Sequence, residues 1–281
     1  MANGSELMAV VFGLASAATW GVGDFSGGLA TRRTPVLTVT LLSQITGLML
    51  LVCLALARAE NRLAASDAIW GSLAGLVGLV GLMGLYRAMA IGQMGIAASV
   101  TGVLSASLPV VVGAFTQGLP DLRHLLGFLL ALTGIWSIAR PQDGVGRPAG
   151  LGLAIVAGLG FGGFLICIAQ VQTHAVFWPL VAARSASIAF LLILALPSWR
   201  LTLPARSALL LIVLAGAMDA GGNAFFVLSE QAGRLDVAGV LASLYPATTV
   251  MLALWILRER LTRLQSIGIL LALISVPLIA G

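Results

Sequence analysis

Three ionisable residues stand inside otherwise apolar stretches of this chain of 281 residues: Asp24, Arg184 and Asp219. A charge at the centre of a hydrocarbon layer costs roughly 2.5–3.5 kcal/mol on insertion scales, so it calls for a partner or a wet cavity. Arg184 needs a carboxylate at its own depth, and either Asp219 or Asp24 can supply it. Such a pair has two uses, as an ion pair that locks helices together or as a clamp and gate for a charged solute. Asn223 follows Asp219 at the i+4 position, which puts both on one helix face and adds a donor and an acceptor. Arg184 and Asp219 are therefore the candidates for charge recognition, with Asp24 and Asp219 as the groups able to carry a proton.

Proline and aromatic residues cluster around these positions. Ser105 and Ser107 precede Pro109, and Ser243 and Tyr245 precede Pro246. A proline inside a helix frees the carbonyl one turn upstream, here near Ser105 and Ala242. A simple kink is the alternative for each proline alone, and their matched placement favours a cavity. Trp20, Phe25, Tyr86, Phe161, Phe164 and Tyr245 fall in the same part of the sequence pattern, with Trp20 and Phe161 at nearly corresponding positions. Aromatic walls suit apolar side chains and cations.

Other chemistries are excluded by context. Gly158-Leu159-Gly160-Phe161-Gly162-Gly163 spells a dinucleotide-loop pattern, but it lies inside an apolar stretch with no preceding strand. His124 and His174 fall at the ends of apolar stretches, and Cys53 and Cys167 are isolated within them, where small buried hydrophobes are expected. Neither a metal site, a resident cofactor nor an enzymatic nucleophile with its base is expected. The formal charge of +5 comes from dispersed arginines in short loops rather than from a nucleic-acid-binding stripe.

Hydropathy supplies the elements that must hold these groups. With 59% hydrophobic and 9% charged residues, the chain is far from the roughly 25% charge of soluble domains. Ten apolar stretches cover 7–29, 36–57, 68–90, 94–117, 122–139, 150–171, 175–196, 206–229, 235–257 and 262–280. Most approach or exceed the roughly 20 residues that span a bilayer as an α-helix. The expected fold is an all-α membrane protein of ten transmembrane helices.

The last five stretches echo the first five. Gly13-Leu14-Ala15 answers Gly152-Leu153-Ala154, and Gly102-Val103-Leu104 with Pro109 answers Gly239-Val240-Leu241 with Pro246. Gly127-Phe128-Leu129-Leu130-Ala131-Leu132 answers Gly268-Ile269-Leu270-Leu271-Ala272-Leu273. Order-preserving matches of this kind mark an internal repeat. An odd number of crossings per repeat makes the second copy insert upside down, so the sequence predicts two inverted five-helix repeats, 1–140 and 150–281, joined by a polar Pro/Gly-rich linker at 141–149. Span three also carries Gly71, Gly75, Gly78, Gly81 and Gly84 on a narrow stripe suited to close helix packing.

Together, the paired five-helix repeats, the matched Gly…Pro spans and the junction Arg258-Glu259-Arg260-Leu261-Thr262 with Gln265 and Gly268 resemble the drug/metabolite transporter superfamily, in its ten-helix EamA-type branch. Within that branch the chain is most similar to bacterial amino-acid exporters, including the aromatic amino-acid type. Gln117-Gly118-Leu119-Pro120 departs from the Gly-Glu pair of the family pattern in the first repeat. The resemblance implies an inner-membrane, multi-pass exporter working by alternating access, with spans one, three, four, six, eight and nine around a midplane site. It implies cytoplasmic termini, whereas the distribution of loop arginines, read by the positive-inside rule, places both termini on the other side.

A zwitterionic amino acid needs donors for its carboxylate and acceptors for its ammonium. Arg184 meets the first need and an aspartate the second, while Asn223, Ser243 and Tyr245 would orient the solute and Trp20, Tyr86, Phe161 and Phe164 would contact its side chain. Pro109 and Pro246 would serve gating. Two energy modes remain open, proton coupling through Asp24 or Asp219 and uniport down a metabolite gradient. The expected partners are a small-molecule substrate and the lipid bilayer, with no nucleic acid, and the rival reading is efflux of cationic compounds by the same fold.

Overall fold

A computed structural model of the chain describes residues 4–60, 63–117, 122–139, 147–172, 175–196, 203–232, 241–242 and 244–280. Among them lie ten helices: α1 Gly4–Thr31, α2 Val36–Ala57, α3 Ala65–Ile91, α4 Met94–Gln117, α5 Leu122–Ala139, α6 Leu151–Ile168, α7 Phe177–Ala195, α8 Arg206–Ala232, α9 Tyr245–Ile256 and α10 Arg263–Ala280. Six of them, α1–α3 and α6–α8, are long and apolar enough to cross a membrane. Large side chains such as Met49, Leu129, Leu159, Leu210 and Trp255 cover the outside of the bundle, as expected of a surface solvated by lipid. Cys53 belongs to that outer surface, not to the interior.

Small residues make the interior. The glycine stripe of α3 is buried, with Gly71 and Gly75 against the backbone of α7 and Gly81 and Gly84 against that of α6. Gly160 of α6 lies directly on Gly81, and Gly158 and Gly162 of the same helix face Leu104 and Leu108 of α4. The Gly-x-Gly-x-x-Gly spelling is thus a packing stripe. Missing side chains let helices approach until dispersion contacts and side-chain-to-backbone hydrogen bonds form, which is how apolar helices associate in lipid. Ser187 donates to the Gly75 carbonyl (2.8 Å), Ser16 to that of Gly222 (2.9 Å) and Thr101 to that of Ala154 (3.1 Å).

Many of the helix pairings exchange when the two halves exchange. Helix α1 packs on α8 and α9, and its counterpart α6 packs on α3 and α4; α2 packs on α8 as α7 packs on α3. Helices α2 and α7, α4 and α9, and α5 and α10 pair with each other. Carboxylates tie two of these pairs end to end. Beyond α2, Ala59 turns left-handed (φ 49°), and Glu60 then accepts from the first amides of α7, Val176 (2.9 Å) and Phe177 (3.0 Å). Beyond α9, Arg258 turns left-handed (φ 51°), and Glu259 accepts from Met94 (2.7 Å) and Gly95 (3.2 Å) at the start of α4. Arg32, past the end of α1, lies 3.7 Å from the same Glu259 carboxylate. Anions at helix N-termini satisfy otherwise orphaned N–H groups and the helix dipole. Thr262 and Gln265 form a reciprocal capping box at the start of α10 (3.1 and 3.3 Å). The acidic junction therefore holds helices in place. Glu259→Ala should lower stability by about 0.5–2 kcal/mol, the usual worth of a helix cap, read as a fall in Tm of the detergent-solubilised protein. An unchanged Tm would contradict the tie.

The predicted span 235–257 is described only in part, with residues 241–242 helical and separated by a turn from the helix that follows. Helix α9 starts at Tyr245 with Pro246 in its first turn, and residues 233–240 and 243 lie outside the described residues. Proline lacks an N–H and has a helical φ, so it starts a helix more readily than it continues one. Pro246 is accordingly not an interior kink, whereas Pro109 does stand inside α4. The Pro246 ring packs on Gly102 of α4 instead.

Candidate functional site

Eight of the ten described helices, all but α5 and α10, line one cavity of about 110 Å³. At about 10–15 Å³ per water, that is room for several waters or one small organic molecule. Trp20, Asp24, Phe161, Phe164, Arg184, Asp219, Asn223 and Tyr245 all face it. Helices α2 and α7 contribute to the wall as well, through Gln44 and Arg184, so the lining is wider than the six spans implied by the family resemblance.

Charge pairing is decided here. Arg184 of α7 donates from Nη2 to Oδ2 of Asp219 on α8. Both side chains are mostly buried, 13% and 22% exposed, and the guanidinium runs beside Gly47 of α2. The amide of Asn223 donates to the Asp219 carbonyl one turn back (2.7 Å) and reaches its Oδ1 at 3.5 Å. That contact steadies the carboxylate from its own helix. Asp24 is 8% exposed and takes no part in the pair.

Aromatic rings border the charges. Trp20 meets Tyr245 edge-on, with ring centres 6.1 Å apart at 80°, and lies 5.8 Å from Phe226. Gly222 leaves room for the indole. Phe161 and Phe164 project from α6 against the α3 glycines Gly81 and Gly78. The Tyr245 hydroxyl points towards Ser105 but finds no partner of hydrogen-bonding geometry, while the Ser105 hydroxyl donates to the Gly102 carbonyl (3.0 Å).

Some expected residues lie elsewhere. Tyr86 is 1% exposed and packs with Ala30, Val39, Leu82 and Ile212, its ring laid on Gly27. It does not line the cavity, but lies behind the wall within electrostatic reach of Asp24, Asp219 and Arg184. Pro109 and Pro246 do not line the cavity either. Ser243 lies outside the described residues. Gln44 was missed by sequence reasoning, although it faces the cavity. It is 2% exposed, and its carbonyl oxygen has no hydrogen-bond partner. Its signal in the sequence was an amide in mid-span, surrounded by Leu42, Ile45 and Leu48. Among the described residues, no three His, Cys, Asp or Glu side chains gather as a metal site.

Residues 7–140 and 148–281 each match the sequence model of the EamA-like transporter family. The chain belongs to that family. This EamA-like transporter is accordingly a multi-pass membrane protein whose partners are a small solute and the bilayer. It also superposes on a solved crystal structure with a TM-score of 0.65 and 20% identity, covering 96% of this chain and 95% of that one, a likeness of fold alone. No curated protein matches it in sequence.

Proposed function

We propose that this EamA-like protein is a bacterial inner-membrane secondary transporter that exports amino acids or related small metabolites by alternating access. In this reading all ten helices cross the bilayer, and the repeats 1–140 and 150–281 are inverted around the cavity. The end-to-end ties support inversion: the C-terminus of α2 meets the N-terminus of its counterpart α7, and the C-terminus of α9 meets the N-terminus of its counterpart α4. Counterparts that run antiparallel are what a twofold axis in the membrane plane requires.

The observation that carries the functional reading is the cavity itself, with a guanidinium–carboxylate pair, a second carboxyl group and aromatic walls shared by both halves. Arg184 would take a substrate carboxylate by exchanging it for Asp219, and Asp24 would take an ammonium. Efflux of cationic compounds is the second reading, favoured by one specific feature: Arg184 is already paired and Asp24 is not. The test is counterflow of a labelled amino-acid panel into liposomes holding the purified protein, with and without a pH gradient. Selective uptake of a few amino acids is the expected result, and a response to the gradient would assign proton coupling. Silence across the panel from folded protein would sink the amino-acid reading in favour of cations.

A further inference from the structure

We propose that Asp24 and Gln44 form a subsite for an N–H-bearing ammonium, a protonated primary or secondary amine, and that this subsite rejects quaternary ammonium. The proposal rests on the reading of the cavity as the solute site. It follows from counting which polar groups of the wall are already engaged. Arg184 and Asp219 engage each other, Asn223 donates to Asp219, Ser187 donates to the Gly75 and Ala183 carbonyls, and Ser105 donates to the Gly102 carbonyl. Of the other wall groups, Asp24 takes no part in the ion pair, and the buried Gln44 carbonyl oxygen and Tyr245 hydroxyl have no hydrogen-bond partner. The Asp24 carboxylate and the Gln44 oxygen accept hydrogen bonds, and Arg184, the arginine of the wall, directs its Nη2 at Asp219.

A buried acceptor without a donor is costly, and wall groups left unpaired in the empty site are those a solute must complete. The wall also carries two carboxyl groups, Asp24 and Asp219, against one guanidinium, Arg184. With Asp24 ionised, the complementary solute brings positive charge together with N–H groups. A primary ammonium has three N–H donors, enough for Asp24 and for the Gln44 oxygen at once. A quaternary ammonium satisfies the charge but offers no N–H to the buried Gln44 oxygen. Trp20, Phe161 and Phe164 would receive the organic part of the amine, with the ring faces adding cation–π attraction.

The subsite lies on α1 and α2 of the first repeat, whereas the Arg184–Asp219 pair lies on α7 and α8 of the second. Ammonium recognition thereby uses groups other than the pair, and an amine lacking a carboxylate would still bind.

Equilibrium binding to the purified full-length protein in detergent would use three probes: phenethylamine, its N,N,N-trimethyl derivative and 3-phenylpropionate. Phenethylamine should bind, the trimethyl derivative should bind about tenfold or more weakly, and the carboxylate should bind weakest. Gln44→Leu should close the gap between the two cations, and Asp24→Asn should abolish amine binding. The Gln44 variant keeps the comparison interpretable should Asp24→Asn fail to fold. Equal or tighter binding of the trimethyl derivative would overturn the N–H requirement, and preference for the carboxylate would overturn the assignment of charge. Absence of binding by all three to folded protein would overturn the subsite. The transport reading fails separately: amine binding as expected with silent counterflow would leave the subsite standing and end the exporter assignment. Counterflow of amino acids with amine binding indifferent to both variants would do the reverse.

Discussion

Arg184→Ala should destabilise the protein by about 3–5 kcal/mol, because it leaves the Asp219 carboxylate in the bundle without its counter-ion. The reciprocal Asp219→Ala should cost a similar amount by stranding the guanidinium. The double replacement Arg184→Met with Asp219→Leu is expected to recover most of that loss, since apolar groups of similar volume often replace a buried pair without penalty. Transport should remain lost in the double variant if the pair recognises solute. Thermal unfolding in detergent and counterflow in liposomes read the two consequences independently. A double variant as stable and as active as the wild type would reduce the pair to a helix lock. A stable double variant that still moves cations but not amino acids would favour the cation reading.

A steric change should have the next largest effect. Gly75 lies where α3 presses on α7, and a Cβ there would run into the Ala183 carbonyl well inside contact distance. Gly75→Val cannot be absorbed by moving a flexible side chain, because the obstacle is backbone. Helix α7 must shift, which also breaks the Ser187 hydrogen bond to the Gly75 carbonyl and displaces Arg184 next in the chain. The expected cost is about 1–3 kcal/mol of stability together with loss of transport. Gly221→Ala is the matched control, since nothing lies within 4 Å of a Cβ at that glycine. It should leave stability within about 0.5 kcal/mol. Equal effects from the two substitutions would mean that close approach of α3 and α7 is not what Gly75 supplies.

Particular residues show how far sequence reasoning reached. The need of Arg184 for a carboxylate at its own depth was legible from apolar context, but two aspartates were open to it. Asn223 was placed correctly beside Asp219, since helix periodicity alone decides an i, i+4 relation. Tyr86 and Gln44 were not predictable in this way. Both lie in spans whose small and polar residues mark an inward face without telling which neighbouring helix or cavity that face will meet. The Tyr86 ring went against Gly27 into the core, and the Gln44 amide went to the cavity. Pro246 was misjudged because spacing alone cannot separate a proline within a helix from one that opens it.

Taken by itself, the sequence determined the apolar segments, the two-fold repetition and the small set of polar groups buried within them. Those properties follow from composition and order along the chain, because each helix satisfies its own backbone hydrogen bonds in lipid without reference to its neighbours. Only the tertiary structure decided that Asp219 rather than Asp24 neutralises Arg184, that Asp24 and Gln44, its oxygen unpartnered, face the cavity, and that Glu60 and Glu259 tie counterpart helices together. These outcomes depend on how each helix is rotated and where its ends meet another. In this bundle, glycine-on-backbone contacts between helices far apart in sequence set that rotation, and no single segment encodes it.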